Sequence, residues 1–219
     1  MLEKIIFIGG IASCVILFVY LLTKFYKRAE NKISTRQIAG MGIISALTFV
    51  LGFVSNYVSF GPVNINLALV PIVVGACIYG PWWGFFLGAL DGLIILFAPS
   101  TLTYFMPVNA VATVIICIFK TGLGGLIAGY LYKFIYKKQD LVASIVASLI
   151  VPLVNTGLFI LGAYLFFLSI YGDILTLFTA VITVNFGIEF AVAIVLSPVV
   201  YKILRIATNG KDIGSVYGK

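Results

Sequence analysis

Seven apolar runs, each near the length of a transmembrane helix, follow one another along this chain of 219 residues. A helix needs about 20 apolar residues to cross the hydrocarbon core of a bilayer. The runs are residues 5–22, 38–58, 65–79, 82–98, 107–132, 141–170 and 174–204. Gly80-Pro81, between the third and the fourth, predicts a tight turn. Together the runs predict an all-α membrane protein whose seven helices leave little room for an extramembrane domain.

The composition excludes the soluble alternatives. Of all residues, 62% are hydrophobic and 10% are charged, whereas an average soluble protein is about 45–50% apolar and about 25% charged. The mean hydropathy is +1.19. A water-soluble domain of this size could not bury that much apolar surface, so a soluble enzyme, a nucleic-acid-binding protein and a disordered chain are all disfavoured.

Basic residues predict the orientation in the membrane. Twelve of the 14 Lys and Arg residues lie in three segments, 24–36, 133–138 and 202–219. Seven spans put these segments on one side, and positive residues mark the cytoplasmic side. We therefore predict an outside N-terminus and a cytoplasmic C-terminus, and we attribute the net charge of +7 to topology rather than to a nucleic-acid partner. The opposite loops, which carry neither Lys nor Arg, are residues 56–64, 99–106 and 171–173.

The sequence offers no set of residues for metal binding or catalysis. It has no His, which removes His-based acid–base chemistry and His metal sites. Its three cysteines, Cys14, Cys77 and Cys117, are far apart in apolar runs, where small apolar packing is the expected role. We predict no catalytic residue, no metal and no cofactor.

Small residues in the second run form one face of a helix. Ala39, Gly42 and Ala46 are spaced three and four residues apart, and such a face lets another helix approach closely. Two interpretations stay open on this spacing: packing within the chain, or docking of a partner membrane protein.

Three charged residues, Asp91, Lys120 and Glu189, lie inside the apolar runs. A charge at a helix centre costs about 2.5–3.5 kcal/mol on insertion scales and is usually paired or faces a cavity. One interpretation is a buried ion pair of Lys120 with Asp91 or Glu189 that holds the helices together. The other is that Lys120 meets a polar solute.

Amide and hydroxyl groups gather near these charges, in the outward halves of the last three runs and in the outer loops. An amide-rich set suits a polar organic solute, whereas a metal ion requires converging carboxylates. Single Asn residues also form hydrogen bonds between helices. The candidate substrate-binding residues are Asn64, Asn66, Tyr104, Asn109, Lys120, Asn155, Thr156, Asn185 and Glu189.

Four short motifs resemble one family of membrane proteins. They read NINLALVPI at 64–72, YGPWWG at 79–84, KTG at 120–122 and PLVNTG at 152–157. On these motifs the chain, from about residue 34 to residue 205, resembles the substrate-binding S components of energy-coupling factor (ECF) transporters.

The resemblance implies a fold and a function. It implies a six-helix S-component core at residues 34–206, an extra transmembrane helix with a basic linker at 1–33 and a cytoplasmic tail at 207–219. Members lie in the plasma membrane of prokaryotes and capture a water-soluble vitamin from outside. We expect a pantothenate- or folate-like vitamin, whose carboxylate Lys120 would neutralise.

The resemblance also implies partners. S components dock on a transmembrane coupling protein and two ATPases, and Ala39, Gly42 and Ala46 match the positions of the docking face. Two other classes are the alternatives, a membrane-embedded lipid-modifying enzyme and an independent secondary transporter. The first needs a convergent catalytic set and the second needs inverted repeats, and the sequence favours neither.

Overall fold

The computed structural model of the chain describes residues 35–57, 59–60, 63–136, 139–179 and 186–207. Contacts divide the chain into two units, Met1–Gly40 and Met41–Lys219. In the first unit the described residues are 35–40, which begin a helix, so the fold given below is that of the second unit. The predicted first span at 5–22 lies outside the described residues.

Helices make up nearly all of the described residues, as the apolar runs predict. A short antiparallel pair follows the first described helix, with Ser59 opposite Asn64 and Phe60 opposite Val63. In chain order the elements are α1 Thr35–Ser55, β1 Ser59–Phe60, β2 Val63–Asn64, α2 Leu69–Tyr79, α3 Pro81–Ile95, a π-helical turn Thr101–Phe105, α4 Ala110–Ile135, α5 Asp140–Phe166, α6 Leu168–Tyr171, α7 Ile174–Thr179 and α8 Gly187–Ala207.

Several of the described helices are long and apolar. Those that could cross a membrane by length and composition are Gln37–Ser55, Ala110–Ile135 and Leu141–Phe166. Shorter apolar helices lie at Leu69–Tyr79, Pro81–Ile95 and Gly187–Leu196. The prediction of long apolar helices is confirmed for the first three, whereas α2 and α3 are shorter than the runs that predicted them.

The third run is helical over 11 residues, Leu69–Tyr79, and not from residue 65 as predicted. The N–H group of Ala68 donates to Oδ1 of Asn66 at 2.9 Å. An Asn side chain that bonds nearby backbone in this way competes with helix formation. Residues 65–68 therefore form a connecting segment, called here the 65–68 segment, in place of a first helical turn.

The fifth span starts at Ala110, three residues after the predicted start at Pro107. Asn109 precedes it as the N-cap residue, and its Oδ1 accepts a hydrogen bond from the N–H of Ala112 at 3.0 Å. This bond satisfies one of the backbone donors that have no partner within the helix. The capping side chain, rather than the proline, marks the start of α4.

The sixth predicted span ends early because Phe167 leaves the helical conformation. α5 therefore ends at Phe166 and not near residue 170. The Phe167 ring is buried and lies 5.2 Å, centroid to centroid, from the ring of Phe105. The seventh run is helical in α7 and α8, and residues 180–185 between them lie outside the described residues.

A sharp reversal joins α2 to α3 at Gly80. Gly80 has a φ of 104°, which a residue with a side chain rarely adopts. Pro81 follows as the first residue of α3, where its constrained φ suits a helix and its missing N–H is not needed. The Gly-Pro pair thus makes the turn that the sequence predicts.

Small residues let α3 and α4 meet backbone to backbone. Gly84, Gly88 and Gly92 of α3 each lie against a backbone carbonyl of α4, so none has room for a Cβ atom. The facing α4 residues are, in the same order, Gly125, Thr121 and Cys117. At the middle of this contact, Thr121 Oγ1 donates to the carbonyl of Gly88 at 2.6 Å. We call this contact the glycine seam.

The buried core surrounds α2. Nine of its 11 residues are buried, and Ile72 belongs to one cluster with Leu87, Tyr132 and Val151 from α3, α4 and α5. By contrast, α1 exposes large apolar side chains such as Phe49, of which 53% is accessible. A bilayer is the environment that such an exposed apolar surface requires.

Gly88→Ala tests the glycine seam. The added methyl group would overlap the carbonyl of Thr121, which is backbone and cannot turn aside. We expect a loss of about 1–3 kcal/mol of stability, as in other overpacked contacts, seen as a lower melting temperature in detergent. Gly157→Ala is the matched control, because nothing lies within 4 Å of a Cβ atom there. Equal melting temperatures for the two variants would contradict the seam.

Candidate functional site

An open cavity of about 590 Å³, counting the part that opens to solvent, lies where the ends of α1 and α3 meet α4 and α5. Polar side chains and aromatic rings line it. The polar lining residues are Ser55, Asn56, Asn66, Ser100, Thr101, Thr113 and Lys120, and the aromatic ones are Phe105, Phe159 and Phe167. An apolar cleft with a few placed polar groups is the usual form of a small-molecule site.

Lys120 is the charged residue of this lining. Its side chain is half-buried, and Nζ lies 4.9 Å from the centroid of the Phe159 ring, within the range of a cation–π contact. Lys120 also interacts electrostatically with Asp91 and Glu189. Among the described residues, however, no carboxylate oxygen lies within the 4.0 Å of Nζ that defines an ion pair. The ion pair of Lys120 with Asp91 or Glu189, one of the two interpretations drawn from the sequence, is therefore not formed as a direct contact.

Three phenylalanines form an aromatic wall beside Lys120. The ring of Phe105 stands edge-on to those of Phe159 and Phe167, with centroids 5.7 and 5.2 Å apart. This T-shaped geometry is the one that aromatic pairs favour. The π-helical turn supplies Phe105, and the break after α5 supplies Phe167, so these two irregular elements build the wall.

Two buried carboxylates hold the 65–68 segment. Nδ2 of Asn66 donates to Oδ2 of Asp91 at 2.5 Å, and the N–H of Asn66 donates to Oε1 of Glu189 at 3.0 Å. Asp91 is 0% exposed and Glu189 is 3% exposed, so both bonds are shielded from water. Each carboxylate thus obtains an amide donor from the same residue.

The end of α1 binds the same segment. Oγ of Ser55 accepts a hydrogen bond from the N–H of Leu67 at 2.8 Å and donates to the carbonyl of Leu51 at 2.7 Å. Nδ2 of Asn56 donates to the carbonyl of Ile94 on α3 at 3.0 Å. These bonds hold the polar groups of Ser55 and Asn56 in the cavity lining.

A second amide reaches Glu189 from α5. Nδ2 of Asn155 donates to Oε2 of Glu189 at 3.3 Å. Oδ1 of Asn155 and Oγ1 of Thr156 are buried and have no hydrogen-bond partner among the described residues. Glu189 and Asn66 also line a smaller cavity of about 330 Å³ beside α2 and α8, so Asn66 belongs to the walls of both cavities.

Five of the predicted substrate-binding residues gather in this region. Asn66 and Lys120 line the larger cavity, and Glu189 lines the smaller one. Asn155 and Thr156 are buried on α5, where Asn155 contacts Glu189 rather than the larger cavity.

The other four predicted residues lie elsewhere. Asn109 caps α4, and Tyr104 is 41% exposed on the π-helical turn; neither is among the lining residues of the larger cavity. Asn64 belongs to β2. Asn185 lies outside the described residues.

Five polar lining residues are not predicted by the sequence: Ser55, Asn56, Ser100, Thr101 and Thr113. Asn56, Ser100 and Thr101 lie in the two loops that carry no basic residue, and membership of those loops is a signal that points to them. The hydroxyls of Ser55 and Thr113 donate to carbonyls four residues earlier, as hydroxyls in helices commonly do. Thr113 shares a helix face with Asn109, four residues earlier, which is a signal in the sequence, whereas Ser55 has none.

α1 exposes the face that carries the small residues. Ala39, Gly42 and Ala46 are all exposed, and nothing lies within 4 Å of a Cβ atom at Gly42. The adjacent Ile43 and Leu47 are 69% and 48% exposed. Within the part of the chain that the structure describes, these small residues are thus not packed against another helix.

Ser55→Ala is expected to release the 65–68 segment. The variant leaves the part-buried N–H of Leu67 without its acceptor, at a cost of about 0.5–1.5 kcal/mol for a lost hydrogen bond, and Leu67 should exchange its amide hydrogen faster. Thr48→Val on the same helix is the control, since the buried hydroxyl of Thr48 bonds the carbonyl of Ile44 within α1. Equal exchange rates at Leu67 in both variants would refute the contact.

Comparison with known proteins confirms the resemblance drawn from the four motifs. Residues 36–201 match the family model of the ECF transporter substrate-specific component, and this region includes the cavity, the glycine seam and α1 from its second residue onward. No curated protein and no solved structure is matched. The chain therefore belongs to the substrate-specific components of ECF transporters, multi-pass membrane proteins that are transporter subunits and not enzymes.

Proposed function

We propose that this chain captures a water-soluble vitamin that carries a carboxylate, pantothenate-like or folate-like, and that the larger cavity is the binding site. The vitamin is then delivered through a transmembrane coupling protein and two ATPase subunits. The observation that carries the proposal is Lys120, whose ammonium group lies at membrane depth in the lining of an open cavity.

The cavity has a group for each part of such a solute. An ammonium group donates up to three hydrogen bonds, and a bond that pairs it with a carboxylate is roughly twice as strong as a neutral one. The hydroxyl groups of Thr101 and Thr113 and the amide of Asn56 suit the amide and hydroxyl groups of a vitamin. The rings of Phe105 and Phe159 suit its carbon chain or its ring.

The depth of Lys120 favours an anion over a neutral analogue. An ammonium group inside the membrane is costly where it lacks a counter-charge. A bound carboxylate supplies that counter-charge in a medium of low dielectric constant, where the attraction is much stronger than in water. A neutral analogue of the same shape supplies no counter-charge.

The position of the cavity supports capture from outside. Its lining includes residues 55–56, 65–66 and 100–101, which lie in or beside the loops that carry no Lys or Arg. Since positive residues mark the cytoplasmic side, these loops face outward in the proposed orientation. The N-terminus is then outside and the C-terminus cytoplasmic, in a prokaryotic plasma membrane.

The proposed substrate-binding core, residues 34–206, has six main helices, α1 to α5 and α8. The short helices α6 and α7 connect α5 to the last of them. Residues 1–33 are proposed as the extra transmembrane helix with its basic linker, and residues 207–219 as the cytoplasmic tail.

The exposed face of α1 is the proposed docking surface for the coupling protein. Ala39, Gly42 and Ala46 form its shallow part, and their exposure leaves room for a helix of the partner. Small residues allow two helix backbones to approach closely in a membrane, where packing and not water exclusion drives association.

Lys120→Met tests the anion site. Met has a similar length and no charge, so we expect 10- to 100-fold weaker binding of pantothenate or of folic acid, because a hydrogen bond to a charged group contributes about 1.5–3 kcal/mol. Equilibrium binding to the purified protein measures this change. Lys133→Met, at an exposed lysine of the same helix, is the matched control and should bind as the wild type does.

Pantothenol, in which an alcohol replaces the carboxylate, adds a second arm to this experiment. The wild type should prefer pantothenate to pantothenol, and Lys120→Met should lose that preference. A preference that Lys120→Met retains in full would exclude a direct contact between Lys120 and the carboxylate.

Gly42→Leu and Ala46→Leu test the docking surface. Each leucine fills the shallow face of α1 without reaching the cavity, so assembly with the coupling protein and ATPases should be impaired while vitamin binding is retained. Co-purification and uptake into proteoliposomes measure the two effects. Gly157→Leu, at an exposed glycine of α5, is the control. Normal assembly of all three variants would refute the surface, and loss of vitamin binding would show that the face packs internally.

A further inference from the structure

Asn66 is held in place by contacts that do not involve a solute. It is 7% exposed and lines both cavities. Its Oδ1 accepts from the N–H of Ala68 at 2.9 Å, and its Nδ2 donates to Asp91 at 2.5 Å. Both polar atoms of the side chain are thus engaged inside the protein, so the edge that Asn66 presents to the larger cavity is set before a solute arrives.

Asp91 does not itself reach either cavity. It is 0% exposed, and it is absent from the lining of both cavities. Its second oxygen, Oδ1, faces Gly52 of α1, where a Cβ atom would lie 2.7 Å from it. Asp91 is therefore joined to the wall of the larger cavity by its hydrogen bond to Asn66, beside its through-space interaction with Lys120.

Glu189 holds Asn66 by the backbone. Its Oε1 accepts the N–H of Asn66 at 3.0 Å, and its Oε2 accepts from Asn155 at 3.3 Å. Glu189 lines the smaller cavity and not the larger one. Asp91 thus sets the direction of the Asn66 side chain, and Glu189 sets the position of its backbone.

We infer that Asp91 and Glu189 are positioning residues, which set the affinity of the larger cavity for its solute by holding Asn66 and do not touch the solute. This inference rests on the proposed function of that cavity as the vitamin site. Moving Asn66 would remove a donor from each of two buried carboxylates, and a buried charged group that loses a hydrogen bond is strongly destabilised. Asn66 is therefore held firmly.

Exchange of donor and acceptor between positions 66 and 91 tests the inference. Asn66→Asp replaces the amide donor by a second carboxyl group against Asp91. The two acids must repel each other or take up a proton at a cost, so the hold on the 65–68 segment should weaken. In the double variant Asn66→Asp/Asp91→Asn, the amide at position 91 donates to the acid at position 66, which still accepts from Ala68. The double variant restores the hydrogen bond with its direction reversed and keeps the net charge of the wild type.

We expect Asn66→Asp to bind radiolabelled pantothenate or folic acid at least about tenfold more weakly, as expected for the loss of about 1.4 kcal/mol. The double variant should recover most of that affinity. Gln139→Glu, the same amide-to-acid change at an exposed residue, is the matched control. A double variant that binds as weakly as Asn66→Asp, or an Asn66→Asp variant that binds like the wild type, would overturn the inference.

Amide hydrogen exchange, measured without a solute, tests the positioning roles independently of the proposed vitamin. The N–H of Asn66 should exchange slowly in the wild type, faster in Asn66→Asp and slowly again in the double variant. If the protein shows that pattern but binds neither pantothenate nor folic acid, the proposed vitamin is refuted and the positioning roles are supported. Equal exchange in all three would overturn the positioning roles whatever the protein binds.

The double variant also covers the case in which Asn66→Asp does not fold. A double variant that folds and binds would then support the inference, because it regains both the hydrogen bond and the wild-type charge at that contact, which the single variant lacks. A double variant that fails to fold would overturn it.

Discussion

The backbone contact between α3 and α4 determines where the charged groups of this protein lie. Asp91 directly precedes Gly92 of the glycine seam, and Lys120 directly precedes Thr121 on the facing helix. Because the helices meet through backbone atoms, a slide of one residue, about 1.5 Å along the helix axis, would bring side chains into a contact with no room for them. The seam thus fixes the depth of Asp91 relative to Lys120, which apolar burial could not do between helices surrounded by lipid.

With α3 and α4 held at this relative depth, the two carboxylates accept hydrogen bonds from neutral amide groups and not from Lys120. Asn66 donates to both Asp91 and Glu189, and Asn155 donates to Glu189. A contact ion pair would neutralise Lys120 and remove it as a group for an anion. The amide donors instead bond one oxygen of Asp91 and both oxygens of Glu189, and they leave the ammonium group in the cavity lining. Removing the partner of a buried charge is costly, so the amide donors hold the carboxylates in place while Lys120 stays in the cavity lining.

The sequence predicts the apolar helices, the turn at Gly80 and the presence of Asn66 and Lys120 in one region, because length, glycine and buried polarity are local signals. It does not predict the 65–68 segment as non-helical. Besides the local bond of Asn66 to Ala68, that segment is held by the hydrogen bond between Asn66 and Glu189, which are far apart in the chain and meet only after the helices pack. The hydroxyl of Ser55 is missed for the same reason, since its role depends on the N–H of Leu67.

α1 connects the proposed binding site to the proposed docking surface. Ser55, at its end, bonds the 65–68 segment next to Asn66, while Ala46 lies nine residues earlier on the same continuous helix, about 13 Å along its axis. Leu67 directly follows Asn66, so a single hydrogen bond, that of Leu67 to Ser55, joins the cavity wall at Asn66 to α1. Coupling between two sites requires an element that both sites contact in a state-dependent way, and α1 meets the first half of that requirement through contacts at its cavity end.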